Sequence, residues 1–143
     1  MTPEEYIADR IDAQAKWHSK KAVRYKNTYY LLQILEFILS LSIPVLAGCA
    51  YQNKNVSFAI GVVGAVIAFI ESLCKLCKFH ENWIKYRTIS EALKNEKYLY
   101  MTKSGAYKNK DFSCLVLQVE QILATGNKEW FAINSKPQNH TGS

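Results

Sequence analysis

Several kinds of motif are missing from this 143-residue sequence, and each absence removes a class of function. There is no glycine-rich phosphate loop, nucleophile elbow or zinc-protease motif, so no enzyme active site is predicted. The cysteines are Cys49, Cys74, Cys77 and Cys114. They are too few and too scattered for a secreted disulfide scaffold, and the acidic N-terminal region lacks the basic and apolar parts of a signal peptide. A non-enzymatic protein in a reducing environment is therefore expected.

Charge is nearly absent from the middle of the sequence, although the mean hydropathy of the whole chain, -0.13, is ordinary. Residues 29–51 and 56–77 are largely apolar, and each segment contains a single acid, Glu36 or Glu71. At ~1.5 Å per residue, about 22 helical residues cross the ~30 Å hydrocarbon core of a bilayer. The polar run 52–55 is so short that the helices it joins run antiparallel. The sequence therefore predicts a two-span transmembrane helical hairpin.

The regions that flank the apolar segments carry helical patterns. Thr2 and Pro3 are typical of a helix start, and nothing interrupts the pattern before residue 27. Residues 78–103 are predicted to continue the second span as a helix, and residues 111–125 to form an amphipathic helix that ends at Gly126. The apolar stripe of that last helix comprises Phe112, Leu115, Val116, Val119, Ile122 and Leu123.

The expected fold class is all-α: a transmembrane hairpin with long cytoplasmic helical extensions and a C-terminal amphipathic helix, assembled as a homo-oligomer. Residues 1–133 are expected to form one domain, and residues 134–143 a flexible tail. The alternative is a soluble bundle built around a buried apolar helix. Such a bundle rarely buries two apolar helices side by side with all charge outside them, so the membrane fold is favoured.

Basic residues lie asymmetrically around the two predicted spans. Five Lys and Arg residues lie within 16–26, five lie within 75–94, and only Lys54 lies between the spans. The positive-inside rule then predicts a plasma (inner) membrane protein with both termini in the cytoplasm. The net charge of +6 is expected to attract anionic lipid headgroups rather than nucleic acid.

Polar and small side chains form a stripe on each predicted span. The members are Gln33, Glu36 and Ser40 on the first span and Gly64, Ala68, Glu71 and Lys75 on the second. An ionised acid facing lipid costs ~2.5–3.5 kcal/mol, so several copies are expected to surround a polar interior, where glutamates favour cations. Structural alternatives stay open: Glu71 can pair with Lys75, and Glu36 can be protonated or hydrogen-bonded.

Candidate metal ligands lie at the end of the second span, where Cys74, Cys77 and His80 recur at three-residue steps, although no bound metal is expected. A structural zinc site needs four ligands, and His18 is the available fourth if the cytoplasmic helices pair. The alternative is that these are simply small, soft residues where the chain leaves the membrane. No cofactor is expected.

Residues 17–22 (WHSKKA), 78–83 (KFHENW) and 86–96 (YRTISEALKNE) resemble the SLATT superfamily, the two-transmembrane effector domains associated with SMODS and SLOG proteins. The resemblance covers about residues 5 to 131, and its nearest branch is that of stand-alone, uncharacterised bacterial proteins. His18 departs from the tyrosine that this branch has there. The resemblance implies a membrane effector of bacterial conflict systems, in which family members are proposed to form pores.

The cytoplasmic residues of this motif are expected to clamp the first helix onto the helix after the second span. The candidate residues are Trp17, Lys21, Trp83, Tyr86, Arg87, Glu91 and Glu96, with Arg87 and Glu91 as partners one turn apart. Two functions are therefore carried forward. One is a homo-oligomeric, cation-preferring channel or pore. The other is a non-conducting membrane scaffold that docks a soluble cytoplasmic partner.

Overall fold

The computed structural model describes residues 1–50, 54–108 and 111–135, and most of these residues are helical. Over these residues there is no strand, so the all-α prediction is confirmed. The elements are α1 Pro3–Tyr6, a π-helical segment Ile7–Asp12, α2 Ala13–Ala50, α3 Lys54–Cys77, α4 Phe79–Met101, a 3-10 turn Gly105–Tyr107 and α5 Phe112–Ser135. The end of the first predicted span at residue 51, the first two residues of the polar run 52–55 and the predicted tail from residue 136 lie outside the described residues.

The predicted helix start at the N-terminus is confirmed as a capping box. The backbone N–H of Glu5 donates to Thr2 Oγ1 at 3.2 Å, and the backbone N–H of Thr2 donates to Glu5 Oε2 at 2.7 Å. Pro3 occupies the first turn, where its missing N–H costs nothing. The π-helical segment that follows was not predicted, because an apolar pattern does not distinguish it from an α-helix.

The helix predicted over 78–103 does not continue unbroken from α3. Lys78 has a φ of 47°, a left-handed conformation that ends α3, and its N–H donates to the carbonyl of Cys74. At the far end of α4, Lys103 has a φ of 49°, with Ser104 N–H donating to Leu99 O and Lys103 N–H to Tyr100 O. These two bonds form a Schellman motif, which satisfies carbonyls that the helix end would otherwise leave free.

The chain divides into two compact units. The first, called here the bundle, comprises Met1–Arg24 and Glu81–Ser143, and the second, called the hairpin, comprises Tyr25–His80. The expectation of one domain over 1–133 stays a prediction.

The bundle has a close-packed apolar core drawn from its N-terminal helix, α4 and α5. The side chains of Ile11, Leu93, Leu115 and Val119 have no exposed surface. The predicted stripe of α5 is confirmed, because its other four members pack against the same cluster. Full burial of such a side chain stabilises a fold by about 1.5–3 kcal/mol, so this core accounts for the cohesion of the bundle.

The hairpin has the opposite character, since most of its large apolar side chains point outward and only Ile70 among those described is buried. Phe37, Val45, Phe58 and Leu76 are 65%, 70%, 76% and 79% exposed. The most apolar stretches of its two long helices are 0% and 6% buried. Both helices are long and apolar enough to cross a membrane, and neither is the buried core helix of a soluble bundle.

The predicted end of the last helix at Gly126 is wrong, because α5 continues to Ser135 and includes the first two residues of the predicted tail. Gly126 is buried within the helix. A Cβ added there would lie 2.5 Å from Ile89 Cδ1 and 3.2 Å from its Cγ1. Gly126 therefore does not end the helix. Its missing side chain allows α5 to pack closely against α4 at Ile89.

Replacing Gly126 with alanine should destabilise the bundle, despite the ~1 kcal/mol by which alanine favours a helix. Overpacking of a close-packed site costs about 1–3 kcal/mol, so a net loss of about 1 kcal/mol is expected. Urea unfolding in detergent, followed by circular dichroism, measures it. Ile89→Val removes the Cδ1 atom that the new methyl meets, so the double variant should lose less than the sum of the singles. Simple additivity would contradict the packing argument.

Candidate functional site

The acid of the first long helix is hydrogen-bonded within its own helix. The Gln33 side-chain amide donates to Glu36 Oε2 at 3.1 Å. Gln33 also hydrogen-bonds the Cys74 thiol of α3, and Glu36 acts electrostatically on the same thiol. Glu36 therefore lies on the side of α2 that approaches α3. Ser40, one turn further, is exposed.

The acid of the second long helix forms an ion pair one turn apart. Lys75 Nζ lies 2.7 Å from Glu71 Oε1, and both side chains are 53% exposed. The pair carries no net charge, which reduces the cost of placing either group away from water. The sequence left this pairing within the helix as one alternative, and the structure contains it.

The small residues of α3 leave open space beside the helix. Gly64 is half-buried and Ala68 is exposed. A Cβ added at Gly61 or at Gly64 would meet nothing within 4 Å. The polar and small residues predicted for the two spans are thus accessible in the single chain.

The candidate metal ligands are not assembled into a site. In the part of the chain that is described, no group of three or more His, Cys, Asp and Glu side chains is placed to hold a metal ion. His80 packs its ring 5.3 Å from the ring of Tyr29, between centroids. His18 belongs to the bundle and donates from Nδ1 to the carbonyl of Gln14, at 2.8 Å.

Aromatic side chains of the bundle meet where the sequence motif places its clamp. The rings of Trp17 and Tyr86 lie edge to face, 5.9 Å apart, and the Lys21 ammonium lies 5.5 Å from the Trp17 ring. His18, which the clamp did not include, lies 5.8 Å from Tyr86. Trp83 lies on the same helix as Tyr86, is half-buried and lines a shallow groove on the surface of α4.

The two acids of the motif have different environments. Glu91 pairs with Lys94 at 3.0 Å, so the predicted pairing of Glu91 with Arg87 is not formed. Glu96 instead accepts a hydrogen bond from the hydroxyl of Tyr107. Burial and this hydrogen bond raise the pKa of Tyr107, so its phenol remains a proton donor. Glu96 thus has a structural role in holding the turn after α4.

A polar cluster that the sequence did not reveal joins the N-terminal helix to α5. Arg10 donates from Nε to Glu120 Oε1 and from Nη2 to Oε2, both at 2.9 Å, and the Tyr6 hydroxyl donates to Oε1 at 3.2 Å. The Arg10 hydrogen bond is the main cause that lowers the pKa of Glu120. Tyr6 and Arg10 share a helix face, but nothing local indicates a partner 110 residues away.

Two buried basic groups lie beside the aromatic residues of the bundle. Burial, with the nearby charge of Lys85, lowers the pKa of His18 and outweighs the hydrogen bond to Gln14. Lys85 is only 6% exposed, and burial likewise lowers its pKa, opposed by Glu129. His18 is therefore favoured as the neutral ring in the folded bundle.

The fold defines this protein as all-helical, with two helices long and apolar enough to span a membrane. Residues 13–113 match the family described as Protein of unknown function (DUF4231), which covers more than half of the chain. The chain belongs to that family. No curated protein and no solved structure matches it.

Removing the charge of Glu120 should loosen the bundle. Glu120→Gln is expected to lower the free energy of unfolding by about 1 kcal/mol, because both partners are partly exposed and the ion pair is screened. The measurement is thermal unfolding of the purified protein. Asp9→Asn, an exposed acid of the π-helical segment, is the control and should change stability by less than about 0.5 kcal/mol. Equal effects of the two variants would contradict the assigned role.

Acidification should destabilise the bundle through His18. The pKa of His18 is lowered on folding, so the unfolded chain binds the proton more readily, and stability is lost as the pH falls below 6.5. The loss for one group is at most about 1.4 kcal/mol per pH unit. Thermal unfolding at pH 7.5 and 5.5 measures it. His18→Gln should reduce the pH dependence relative to the wild type. An unchanged dependence in His18→Gln would refute this assignment.

Proposed function

We propose that this protein is an integral membrane protein whose hairpin crosses the bilayer twice. The observation that carries the proposal is the outward exposure of its apolar side chains, since the two apolar stretches are 0% and 6% buried. Exposed apolar surface costs about 25 cal/mol per Å² in water, and lipid removes that cost. The bundle, by contrast, has a core of its own and an ordinary charged surface.

The distribution of basic residues supports a topology with both termini in the cytoplasm, and the resemblance to the SLATT superfamily implies the plasma (inner) membrane of a bacterium. Ten Lys and Arg residues flank the spans at 16–26 and 75–94, against Lys54 between them. The same residues would attract anionic headgroups at ~1 kcal/mol each near the surface.

The polar groups of the spans support assembly into a homo-oligomer. Glu71 and Lys75 are half-exposed in the single chain, and Gly64 leaves space for a neighbouring helix. Placing such groups against acyl chains is costly, whereas several copies can turn them toward a shared interior. We propose that this interior conducts ions and that the Glu36 carboxylate gives it a preference for cations. Glu71 supports that preference by neutralising the charge of Lys75, with which it pairs.

Resemblance to the SLATT superfamily adds a biological setting, because its members are proposed to be pore-forming effectors of bacterial conflict systems. The second candidate function is a non-conducting scaffold without enzymatic activity. It is favoured by exposed aromatic side chains of the bundle, Trp17 at 49% and Trp130 at 38%, which offer contacts to a soluble partner.

Ion flux through reconstituted protein tests the pore. Purified protein in liposomes should carry a cation current, and Glu36→Gln or Glu71→Gln should shift the reversal potential in a salt gradient toward zero. The physical reason is that each substitution removes a negative charge from the conduction path. Ser42→Ala is the matched control, because the Ser42 hydroxyl donates to Leu39 O of its own helix and should not affect selectivity.

Two outcomes would overturn parts of the proposal. Wild-type protein that remains in the supernatant after ultracentrifugation of lysed cells without detergent would refute the membrane assignment. Correctly incorporated protein that carries no current, in any lipid or salt condition, would refute the pore. In that case the scaffold function remains. It predicts that a soluble partner protein co-purifies with this chain and that variants of Glu36 and Glu71 retain function.

A further inference from the structure

We propose that the outer face of α4 is a self-association surface through which neighbouring copies of this chain contact each other. The surface, called here the outer α4 face, comprises Trp83, Ile84, Arg87, Thr88, Glu91 and Asn95. This inference rests on the proposed homo-oligomer. It adds a contact between copies that lies outside the hairpin and would stabilise that oligomer.

The outer α4 face is the side of the helix that the bundle does not cover. Ile89, Ser90 and Leu93 of α4 are buried on the opposite side, where Ser90 donates to the carbonyl of Ala15 at 2.9 Å. The outer face instead borders a shallow groove of about 570 Å³, lined by residues of α4 alone. Because every lining residue belongs to one helix, the groove has the shape that a second helix would fill.

The polar groups of the outer α4 face are its charges, the Asn95 amide and the Thr88 hydroxyl, and the rest of the surface is largely apolar. Ile84 is 48% exposed. The hydroxyl of Thr88 donates to the carbonyl of Ile84 at 2.9 Å, so its hydrogen-bonding need is met within its own helix. Such a surface loses little when water is removed from it, which suits a contact between proteins.

The charges of this face identify the occupant as a second copy. Arg87 and Glu91 are exposed and lie one helical turn apart. Glu91 turns to Lys94, and no carboxylate pairs with Arg87 among the described residues. A copy of the same face offers Glu91 to Arg87, and a guanidinium binds a carboxylate through two parallel hydrogen bonds. Because the same face is used by both copies, the pairing forms twice in a twofold pair, Arg87 to Glu91 and Glu91 to Arg87.

Reciprocal charge reversal tests the contact. The variants Arg87→Glu and Glu91→Arg are each labelled with a donor or acceptor dye, and energy transfer is measured in liposomes over a range of dilution into excess lipid. Either variant alone places like charges together and should weaken self-association about tenfold or more. A mixture of the two variants restores opposite charges at both positions, so its association should approach that of the wild type. Asp9→Arg, an exposed charge reversal on another element, should have no effect.

The outcomes separate this inference from the proposed function. Wild-type chains that show no energy transfer refute the oligomer and this contact together. Wild-type transfer that neither reversal changes leaves the oligomer intact and overturns the contact. Singles that weaken without rescue in the mixture also overturn it, and point to another partner or to misfolding, which circular dichroism distinguishes. Only loss in both singles with recovery in the mixture supports the outer α4 face as a contact between copies.

Discussion

Most apolar side chains of the hairpin have no protein interior to enter, and the rest of the molecule depends on this constraint. Phe58 and Leu76 are 76% and 79% exposed, and the apolar stretches on both long helices are almost wholly unburied. A surface of this kind is unfavourable in water in proportion to its area. It therefore requires an apolar surrounding, which acyl chains and further copies of the hairpin can both provide.

The bundle meets the opposite requirement, since its own side chains supply the core. Ile11, Leu93, Leu115 and Val119 are completely buried, and Gly126 allows α5 to approach α4 closely. Around this core, Arg10 and Glu120 form a two-point hydrogen-bonded ion pair, and Lys97 binds both oxygens of Asp12 at 2.7 and 2.8 Å. Each of these pairs joins segments that are far apart in sequence, so the polar contacts fix which faces meet.

Within the hairpin the polar groups form contacts that need no second chain. Gln33 donates to Glu36, and Lys75 pairs with Glu71. These contacts lower the cost of the acids without hiding them, because the ion pair remains half-exposed. Local pairing and assembly are therefore compatible: the first neutralises charge within a helix, and the second would remove the remaining polar surface from lipid.

The sequence by itself determined the features that depend on residues close together along the chain. Hydropathy and length predicted the two apolar helices, Thr2 and Pro3 predicted the first cap, and periodicity predicted the buried stripe of α5.

The tertiary structure decided the rest. The helix break at Lys78 was not predicted, because a lysine in the left-handed conformation leaves no signal in the sequence composition. Gly126 was misread, since a glycine that ends a helix and one that admits Ile89 look alike until α4 is in place. The pairing of Glu120 with Arg10 was likewise decided by tertiary structure. The pairing of Glu91 with Lys94 rather than Arg87 is a choice between two neighbours on one helix, which residue spacing alone does not settle. The reason is physical: period and propensity act over a few residues, whereas a close approach or an ion pair depends on which surfaces the folded chain brings together.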